Sequence, residues 1–348
     1  MTLTELSFYS RKYLPFGILA VLMLFIVFYM FKLLFMLIQP VNTQRAYINP
    51  IFDKITVPLL REATPSAGFN YILDTIEGRP VTASESAKVY FMPASTARFG
   101  YKEKIYLIAK TLGFDTEIVK YKLNDKDAVL SDLTQKLTVD ITNFNFYYQY
   151  HFEKNKELFE NIAFPSKSQI ENKAIDFLKS INRYPEELAQ GKINLVFFYY
   201  NPETNELSKV NRSQEANVVE VDMYRPDVDG FSTITTSFPN SQNFILMVFK
   251  EKEFKILRAQ IKFYEKSNEQ VGVYPLRTGD VAWEEFKKGR GYILSRTEGE
   301  KDITVKTMFT AYLDPEINQK YLQPVYVFLG SGNFVGILPA VDSKYLME

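Results

Sequence analysis

The chain has 348 residues, and its 41 basic and 41 acidic side chains leave a formal net charge of zero. A neutral chain without a run of Lys or Arg lacks the positive surface that nucleic acids require, so composition excludes a nucleic-acid partner. The absence of cysteine excludes disulfides, thiolate metal sites, cysteine nucleophiles and a lipid-modified cysteine.

The first element is an apolar run, Leu14 to Ile38, with one charged residue, Lys32. About 25 mostly apolar residues cross a hydrocarbon core of roughly 30 Å, so the run predicts one transmembrane helix in a lipid bilayer. Lys32 is expected to snorkel to the interface, the alternative being a pairing with another membrane helix. A cleaved signal peptide is the competing interpretation, but its apolar core spans only about 7–15 residues, which favours an uncleaved anchor.

The orientation of this anchor follows from its flanking charges. Arg11 and Lys12 precede the run, whereas only Arg45 follows it closely. Positive residues favour the cytoplasmic side, so residues 1–13 are predicted to form a short cytoplasmic tail and residues 14–38 the span. The predicted location is the cell membrane, single-pass, with an extracytoplasmic C-terminal domain.

Small side chains mark one side of the anchor. Gly17, Ala20 and Leu24 are three and four residues apart, and small residues at this spacing let a second membrane helix approach closely. They are candidate contacts with a membrane protein partner. The alternative is that they face lipid.

The remaining chain is rich in Phe and Tyr, which favours a folded, β-rich domain. Residues 39–85 are predicted as a juxtamembrane segment with a short helix over Ile51 to Leu60. In residues 86–155, a helix ended by Gly113 and two alternating runs predict a first module. The helical face is Tyr101, Ile105, Ile108, Ala109 and Leu112.

The same order of helix and strands recurs twice. In residues 156–270, Ser166 and Gln169 have the spacing of a capping box before an apolar stripe, and strands follow. In residues 271–348, a short helix over Val281 to Lys288 precedes a strand and a final hairpin. The sequence therefore predicts an α+β fold, with an extracytoplasmic domain of two or three helix-plus-antiparallel-sheet modules.

The last segment resembles a known family. The runs DVAWEEFKKGRGYI, ITVKTMFTAYLD and YLQPVYVFLGSGNFVGILPAV are similar to the C-terminal module of the YycI and YycH family and of related PepSY-like modules. The run VEVDMYRPDVDG is similar to the strand and turn before that module in YycI-like proteins. The resemblance implies an N-terminal membrane helix, an extracytoplasmic domain and regulation of a membrane histidine kinase.

Three residues are candidates for an interaction surface of the exposed domain. Arg225 and Asp229 lie in the run that precedes the C-terminal module. Trp283 is the single tryptophan, a residue type enriched at binding hot spots, although its apolar neighbours favour core packing instead.

Residues with potential chemistry give weaker patterns. The single histidine, His151, lies in an aromatic-rich strand and is predicted to be structural. The run Asp227-Val228-Asp229-Gly230 has part of a calcium-loop pattern, but Asp-Gly between two strands more simply predicts a hairpin turn. Gly330-Ser331-Gly332-Asn333 lacks the lysine of a phosphate loop and is predicted to join two strands. No cofactor, metal or catalytic residue is predicted.

Two classes of function compete. The favoured one is a non-enzymatic, membrane-anchored regulator of bacterial cell-envelope type that binds a partner protein or ligand. The alternative is an envelope hydrolase that acts on glycan or peptidoglycan with paired carboxylates, and a structural envelope component is a third reading. The partner, the ligand and the oligomeric state are not specified by the sequence.

Overall fold

A computed structural model describes residues 3–38, 47–61, 63–82, 84–97, 99–251 and 253–347. The chain forms two compact units, residues 1–47 and residues 48–348. Part of the predicted juxtamembrane segment, residues 39–46, lies outside the described residues.

The first unit contains one long helix, α1, Leu3–Ile38. Its stretch Tyr13–Leu33 is long and apolar enough to cross a membrane, since 21 residues span about 32 Å as a helix. The helix begins eleven residues before the predicted span, so the predicted tail continues the helix. Hydropathy marks the expected edge of the bilayer, whereas helix formation only needs residues that tolerate helical backbone.

The second unit is mixed α+β and mostly sheet. Its helices are α2 (Tyr101–Thr111), α3 (Lys167–Ser180), α4 (Glu186–Ala189) and α5 (Gly279–Glu285). Its strands are β1 (Ile55–Thr56), β2 (Thr64–Pro65), β3 (Asn70–Leu73), β4 (Ser86–Phe91), β5 (Lys122–Asn124), β6 (Asp127–Ser131), β7 (Gln135–Asp140), β8 (Phe146–Tyr150), β9 (Ile193–Asn201), β10 (Glu206–Val210), β11 (Val218–Met223), β12 (Ser232–Thr235), β13 (Phe244–Phe249), β14 (Phe254–Ile261), β15 (Val271–Pro275), β16 (Tyr292–Ser295), β17 (Asp302–Asp314), β18 (Tyr321–Leu322), β19 (Pro324–Gly330), β20 (Val335–Pro339) and β21 (Leu346–Met347).

The largest sheet, called the large sheet here, is antiparallel and has nine strands in the order β10-β9-β11-β13-β14-β8-β7-β6-β5. Helices α2 and α3 cover one face of it. Ile105 and Ile108 of α2 and Ile170 and Phe177 of α3 share one core with inward side chains of the sheet, such as Val221. Alternate side chains of the strands thus form one half of this core, and the apolar faces of the helices form the other half.

A seven-stranded sheet, the second sheet, follows the order β12-β17-β19-β20-β16-β2, and β3 also pairs with β17. Strands β3 and β12 run parallel to β17, whereas the remaining neighbours are antiparallel. Helix α5 packs on this sheet through Trp283, next to Phe286 and Phe328. Two smaller sheets pair β15-β4-β18 and β1-β21.

Several local predictions are confirmed. Helix α3 begins at Ser166, whose hydroxyl accepts from the Gln169 amide while the Gln169 side chain accepts from the Ser166 amide. Helix α2 covers the predicted face, and Gly113 follows it with φ of 89°. Strands β19 and β20 are joined through the predicted connection at residues 330–333.

The strand pairing cuts across the predicted modules. The large sheet takes strands from both sides of the boundary at residue 155, and the second sheet recruits β12 from within residues 156–270. Strand β4, expected to open the first module, pairs with β15 and β18 of the C-terminal part. Periodicity identifies a strand and its buried face but contains no information about its neighbour, which is why these boundaries differ.

Candidate functional site

A polar cleft lies where the loop after β4 meets the loops of the large sheet. It has a volume of about 380 Å³, and we call it the junction cleft. Its walls are residues 93–96, 142–144, 182–185 and 263–265, together with Lys104 of α2. This volume is in the range of small-molecule sites, so the cleft is a candidate binding site of the exposed domain.

The end of α3 places two walls of the cleft. Ile181 caps the helix, Asn182 takes φ of 52°, and the chain turns so that Arg183 enters the protein. The Arg183 Nη2 donates to Asn145 Oδ1 at 2.5 Å and to the Phe263 carbonyl oxygen at 3.1 Å. The side chain thus ties the end of α3 to the residue before β8 and to the loop after β14.

Behind the cleft lies a cluster of charges formed by Glu187, Arg225, Lys266 and Asp314, called the ion cluster here. Arg225 Nε is 2.8 Å from Asp314 Oδ1, and both side chains are essentially inaccessible, at 0% and 1% exposure. Arg225 Nη1 is 2.9 Å from Glu187 Oε1, which Lys266 approaches to 3.6 Å. The Arg225 guanidinium stacks 4.2 Å above the Phe263 ring, which lines the cleft.

This burial corrects the expectation for Arg225. It was a candidate for the exposed interaction surface, yet its side chain joins the end of β11 to β17 inside the protein. A planar guanidinium is suited to this role, because it pairs with carboxylates and stacks on an aromatic ring at the same time. Arg225 therefore supports the junction cleft from behind.

Asp229 lies in the turn after β11, at the surface end of a tyrosine cluster. Its carboxylate accepts from Lys88 Nζ at 2.8 Å and from the Tyr90 hydroxyl at 2.5 Å. The Tyr312 hydroxyl is 3.3 Å away and donates to the Lys88 carbonyl oxygen. Burial alone would raise the pKa of Asp229, but the hydrogen bonds from Lys88 and Tyr90 outweigh it and lower that pKa.

The turn itself has the backbone geometry expected of Asp-Gly, but the predicted hairpin is wrong, because β11 pairs in the large sheet and β12 in the second sheet. Asp229 and Gly230 have φ of 51° and 80°, and Val228 and Phe231 exchange backbone hydrogen bonds of 2.9 Å. Positive φ at both central positions is the backbone geometry that Asp-Gly favours. Among the described residues, no group of three His, Asp or Glu side chains is close enough to hold a metal ion.

Trp283 is buried, at 7% exposure, in the core of the second sheet. Its ring packs against Tyr71 and Phe328. The preference for core packing is therefore confirmed. His151 directly follows β8 and is half-buried, with its backbone amide bonded to the Thr134 carbonyl oxygen.

The anchor candidates Gly17, Ala20 and Leu24 are exposed on α1. A Cβ atom added to Gly17 would meet nothing within 4 Å. Their spacing of three and four residues places them on one side of a regular helix. The surface is open to a second helix or to lipid.

A pair of carboxylates lies on β11, on the face of the large sheet that α2 and α3 do not cover. Glu220 and Asp222 alternate with Val219 and Val221, which face the helices. Burial raises the pKa of Asp222 to about 6. Burial, reinforced by the charge of Asp222, raises the pKa of Glu220 to about 7. Neither residue lines the junction cleft.

Sequence reasoning missed Arg183 and Lys104. In the sequence, neither residue belongs to a pattern that distinguishes it from other charged residues. Only folding brings the end of α3 next to α2 and to the loop after β4. The turn at Asn182 was a usable signal, since Asn tolerates positive φ at a helix end and directs the next side chain away from the helix.

No family model and no curated protein matches the chain. Among solved structures, the crystal structure of an uncharacterized protein from Eubacterium rectale ATCC 33656 is similar at a TM-score of 0.37 and 13% identity. The match covers 78% of this chain and 89% of that chain. A likeness at this level assigns no function.

Proposed function

We propose that the chain is a non-enzymatic, single-pass membrane protein whose extracytoplasmic domain binds a partner or ligand and regulates a membrane protein such as a histidine kinase. The observation that carries this proposal is helix α1, whose side chains from Tyr13 to Leu33 are exposed along the whole apolar stretch. Such a surface is stable in lipid and not in water. The resemblance of the C-terminal runs to YycI and YycH proteins supports the regulatory role.

The junction cleft supports the binding part of the proposal. It is polar, and its walls come from segments far apart in the sequence. Binding in such a cleft can change how those segments pack, which is how a receptor domain transmits a signal. Arg11 and Lys12 at the amino-terminal side support the proposed orientation.

The experiment concerns the anchor face. Replacing Gly17 and Ala20 together by Leu should abolish copurification with the membrane partner, because the added side chains keep a second helix away. Insertion should be unaffected, since Leu favours the bilayer. The measurement is in-cell photocrosslinking from the anchor, followed by mass spectrometry of the crosslinked partner.

A matched control adds similar bulk on the opposite side of α1, through Leu19→Phe and Ile26→Phe. This variant should retain the crosslink. If exchange of the whole anchor for an unrelated helix leaves both crosslinking and phenotype unchanged, then α1 is only a tether and the proposed helix contact is wrong.

An envelope hydrolase is the second candidate, and Glu220 and Asp222 are the observation that favours it. Two neighbouring carboxyl groups with pKa values of about 7 and about 6 resemble the acid and base pair of glycoside hydrolases. Asp222 is only 1% exposed, however, which limits access by a polymer. Hydrolysis of peptidoglycan that Glu220→Gln abolishes would favour this candidate over the regulator.

A further inference from the structure

Arg183 is a buried cation that forms no ion pair with a carboxylate among the described residues. It is 9% exposed, and the two acceptors of its Nη2 are the amide oxygen of Asn145 and the backbone oxygen of Phe263. Its Nε is buried and has no hydrogen-bond partner in the described part of the chain. Its neutral acceptors thus contrast with those of Arg225, which pairs with two carboxylates.

Such an arrangement is costly for the protein alone. Burial lowers the pKa of Arg183 to about 10, and the nearby charge of Glu265 only partly opposes this. A guanidinium keeps its proton at neutral pH even so, and a buried charge without a counter-ion destabilises the folded state. An anion in contact with Arg183 would relieve this cost.

The surroundings of Arg183 fit a ligand of one negative charge. Among the described lining residues of the junction cleft, the charged ones are Lys104, Arg183 and Glu265. Two cations and one carboxylate leave a net charge of +1. Lys104 Nζ donates to the Asn182 carbonyl oxygen at 3.1 Å and lies 4.5 Å from the centre of the Phe144 ring.

The other lining groups are hydrogen-bonding side chains. Hydroxyl and amide groups are supplied by Ser95, Thr96, Thr142 and Asn143. They suit the polar remainder of a small molecule, and the volume of about 380 Å³ accommodates one. Shape and chemistry therefore point to a small polar acid.

We propose that the junction cleft binds a carboxylate-bearing small molecule, with the Arg183 guanidinium as the group that selects the acid. A guanidinium binds a carboxylate through two parallel N–H···O bonds, and this geometry is unavailable to an ammonium group. A dianionic phosphate matches the net charge of the described lining residues less well. The inference rests on the proposed function in one respect, that the exposed domain is a binding module.

The test uses the full chain purified in detergent micelles, with sodium acetate as the probe. Line broadening of ¹³C-labelled acetate is followed during titration at constant ionic strength, and ³¹P line broadening of phosphate provides the second arm. Acetate should bind saturably, and phosphate at least about fivefold more weakly. Arg183→Lys and Lys104→Met should each weaken acetate binding about tenfold or more, in proportion to the loss of a charged hydrogen bond.

Lys102→Met is the matched control, because Lys102 is an exposed residue of the same helix as Lys104. It should change acetate binding less than twofold. Lys104→Met leaves the buried Arg183 intact, so it remains informative if Arg183→Lys does not fold. Acetate binding that is absent, unchanged in both cleft variants, or weaker than phosphate binding would overturn the carboxylate assignment.

Partner crosslinking separates this inference from the proposed function. If acetate binding is lost in Lys104→Met while the crosslink from the anchor persists, the cleft binds the acid and the anchor contact is independent of it. If the crosslink never forms but acetate binding depends on Arg183, the regulator proposal fails and the carboxylate site stands.

Discussion

Replacing Arg225 with Met should lower the free energy of unfolding of the exposed domain by roughly 3–5 kcal/mol. The substitution leaves the Asp314 carboxylate, which is 1% exposed, without its counter-ion. It also leaves Glu187 without the guanidinium that lies 2.9 Å away. An uncompensated buried charge is among the few changes large enough to threaten a domain of ordinary stability.

The measurement is urea unfolding of the full chain in detergent, followed by tryptophan fluorescence. Trp283 is the single tryptophan of the sequence and lies in the core of the second sheet, so its emission reports unfolding of the exposed domain. Because the slope of unfolding free energy with urea scales with exposed area, the midpoint shift gives the change in stability.

Two further variants test the physical reason. Arg225→Met combined with Asp314→Leu should recover most of the loss, because an apolar pair of similar size replaces a buried ion pair at little cost. Lys287→Met breaks the exposed pair of Lys287 with Glu284 and should cost less than about 1 kcal/mol. A loss of similar size in Arg225→Met and Lys287→Met would contradict the role of burial.

The pH dependence of Arg225→Met has a definite sign. Burial raises the pKa of Asp314 even though Arg225 works against it, and removing Arg225 raises that pKa further. A carboxyl whose pKa is higher in the folded state stabilises most at low pH and loses that contribution as pH rises. The difference in free energy of unfolding between the variant and the native chain should therefore become smaller as the pH is lowered.

The elements that could be predicted from the sequence are those whose signals are local. Helix α3 follows from a capping box at Ser166 and a stripe at helical spacing, and both operate within a few residues. The turn at Asp229-Gly230 follows from a backbone preference of two residues. The apolar stretch of α1 follows from composition alone.

Pairing over long sequence distances could not be predicted in this way. Ile51 to Leu60 was expected to be helical, but it contains β1, which pairs with β21 near the other end of the chain. The Leu59 amide also donates to Gln319 Oε1 at 2.8 Å. These tertiary contacts outweigh a weak local preference for helix, and no local pattern encodes them.

The same limit explains the candidate site. The sequence predicts a surface position for Arg225, because charged side chains are rarely buried without a partner. Its partner Asp314 is 89 residues further on, at the end of β17 in the second sheet. Arg183 likewise contacts Asn145 and Phe263, which are 38 and 80 residues away in the sequence. Sites assembled from distant segments need the fold before their charges can be matched.

Glu220→Gln should stabilise the exposed domain by about 2–3 kcal/mol at pH 8 and by less than about 1 kcal/mol at pH 5. Burial raises the pKa of Glu220 from 4.5 to about 7, and the charge of Asp222 adds to this effect. Above pH 7 the folded state must therefore hold a poorly hydrated carboxylate that the unfolded chain exposes to water. The amide removes this cost and keeps the size of the side chain.

The sign follows from the direction of the pKa change. Because the folded pKa exceeds the unfolded one, the stability linked to Glu220 is present below about pH 4.5 and is lost as pH rises through about 7. Each pKa unit corresponds to about 1.4 kcal/mol. Asp222→Asn should act similarly, because the stability linked to Asp222 is lost as pH rises from 3.8 to about 6. Urea unfolding at pH 5 and pH 8, followed by Trp283 fluorescence, measures the change in unfolding free energy that each substitution causes.

Glu206→Gln provides the matched control, because Glu206 is exposed on the edge strand β10 of the same sheet. It should change stability by less than about 0.5 kcal/mol at either pH. If Glu220→Gln has the same small effect at pH 8, the carboxylate of Glu220 is well hydrated and its raised pKa is refuted. If Glu220→Gln stabilises the domain and regulation is unaffected, the carboxylate pair destabilises β11 without serving a reaction. If Glu220→Gln stabilises the domain and abolishes a hydrolytic activity, the destabilising pair is retained for catalysis.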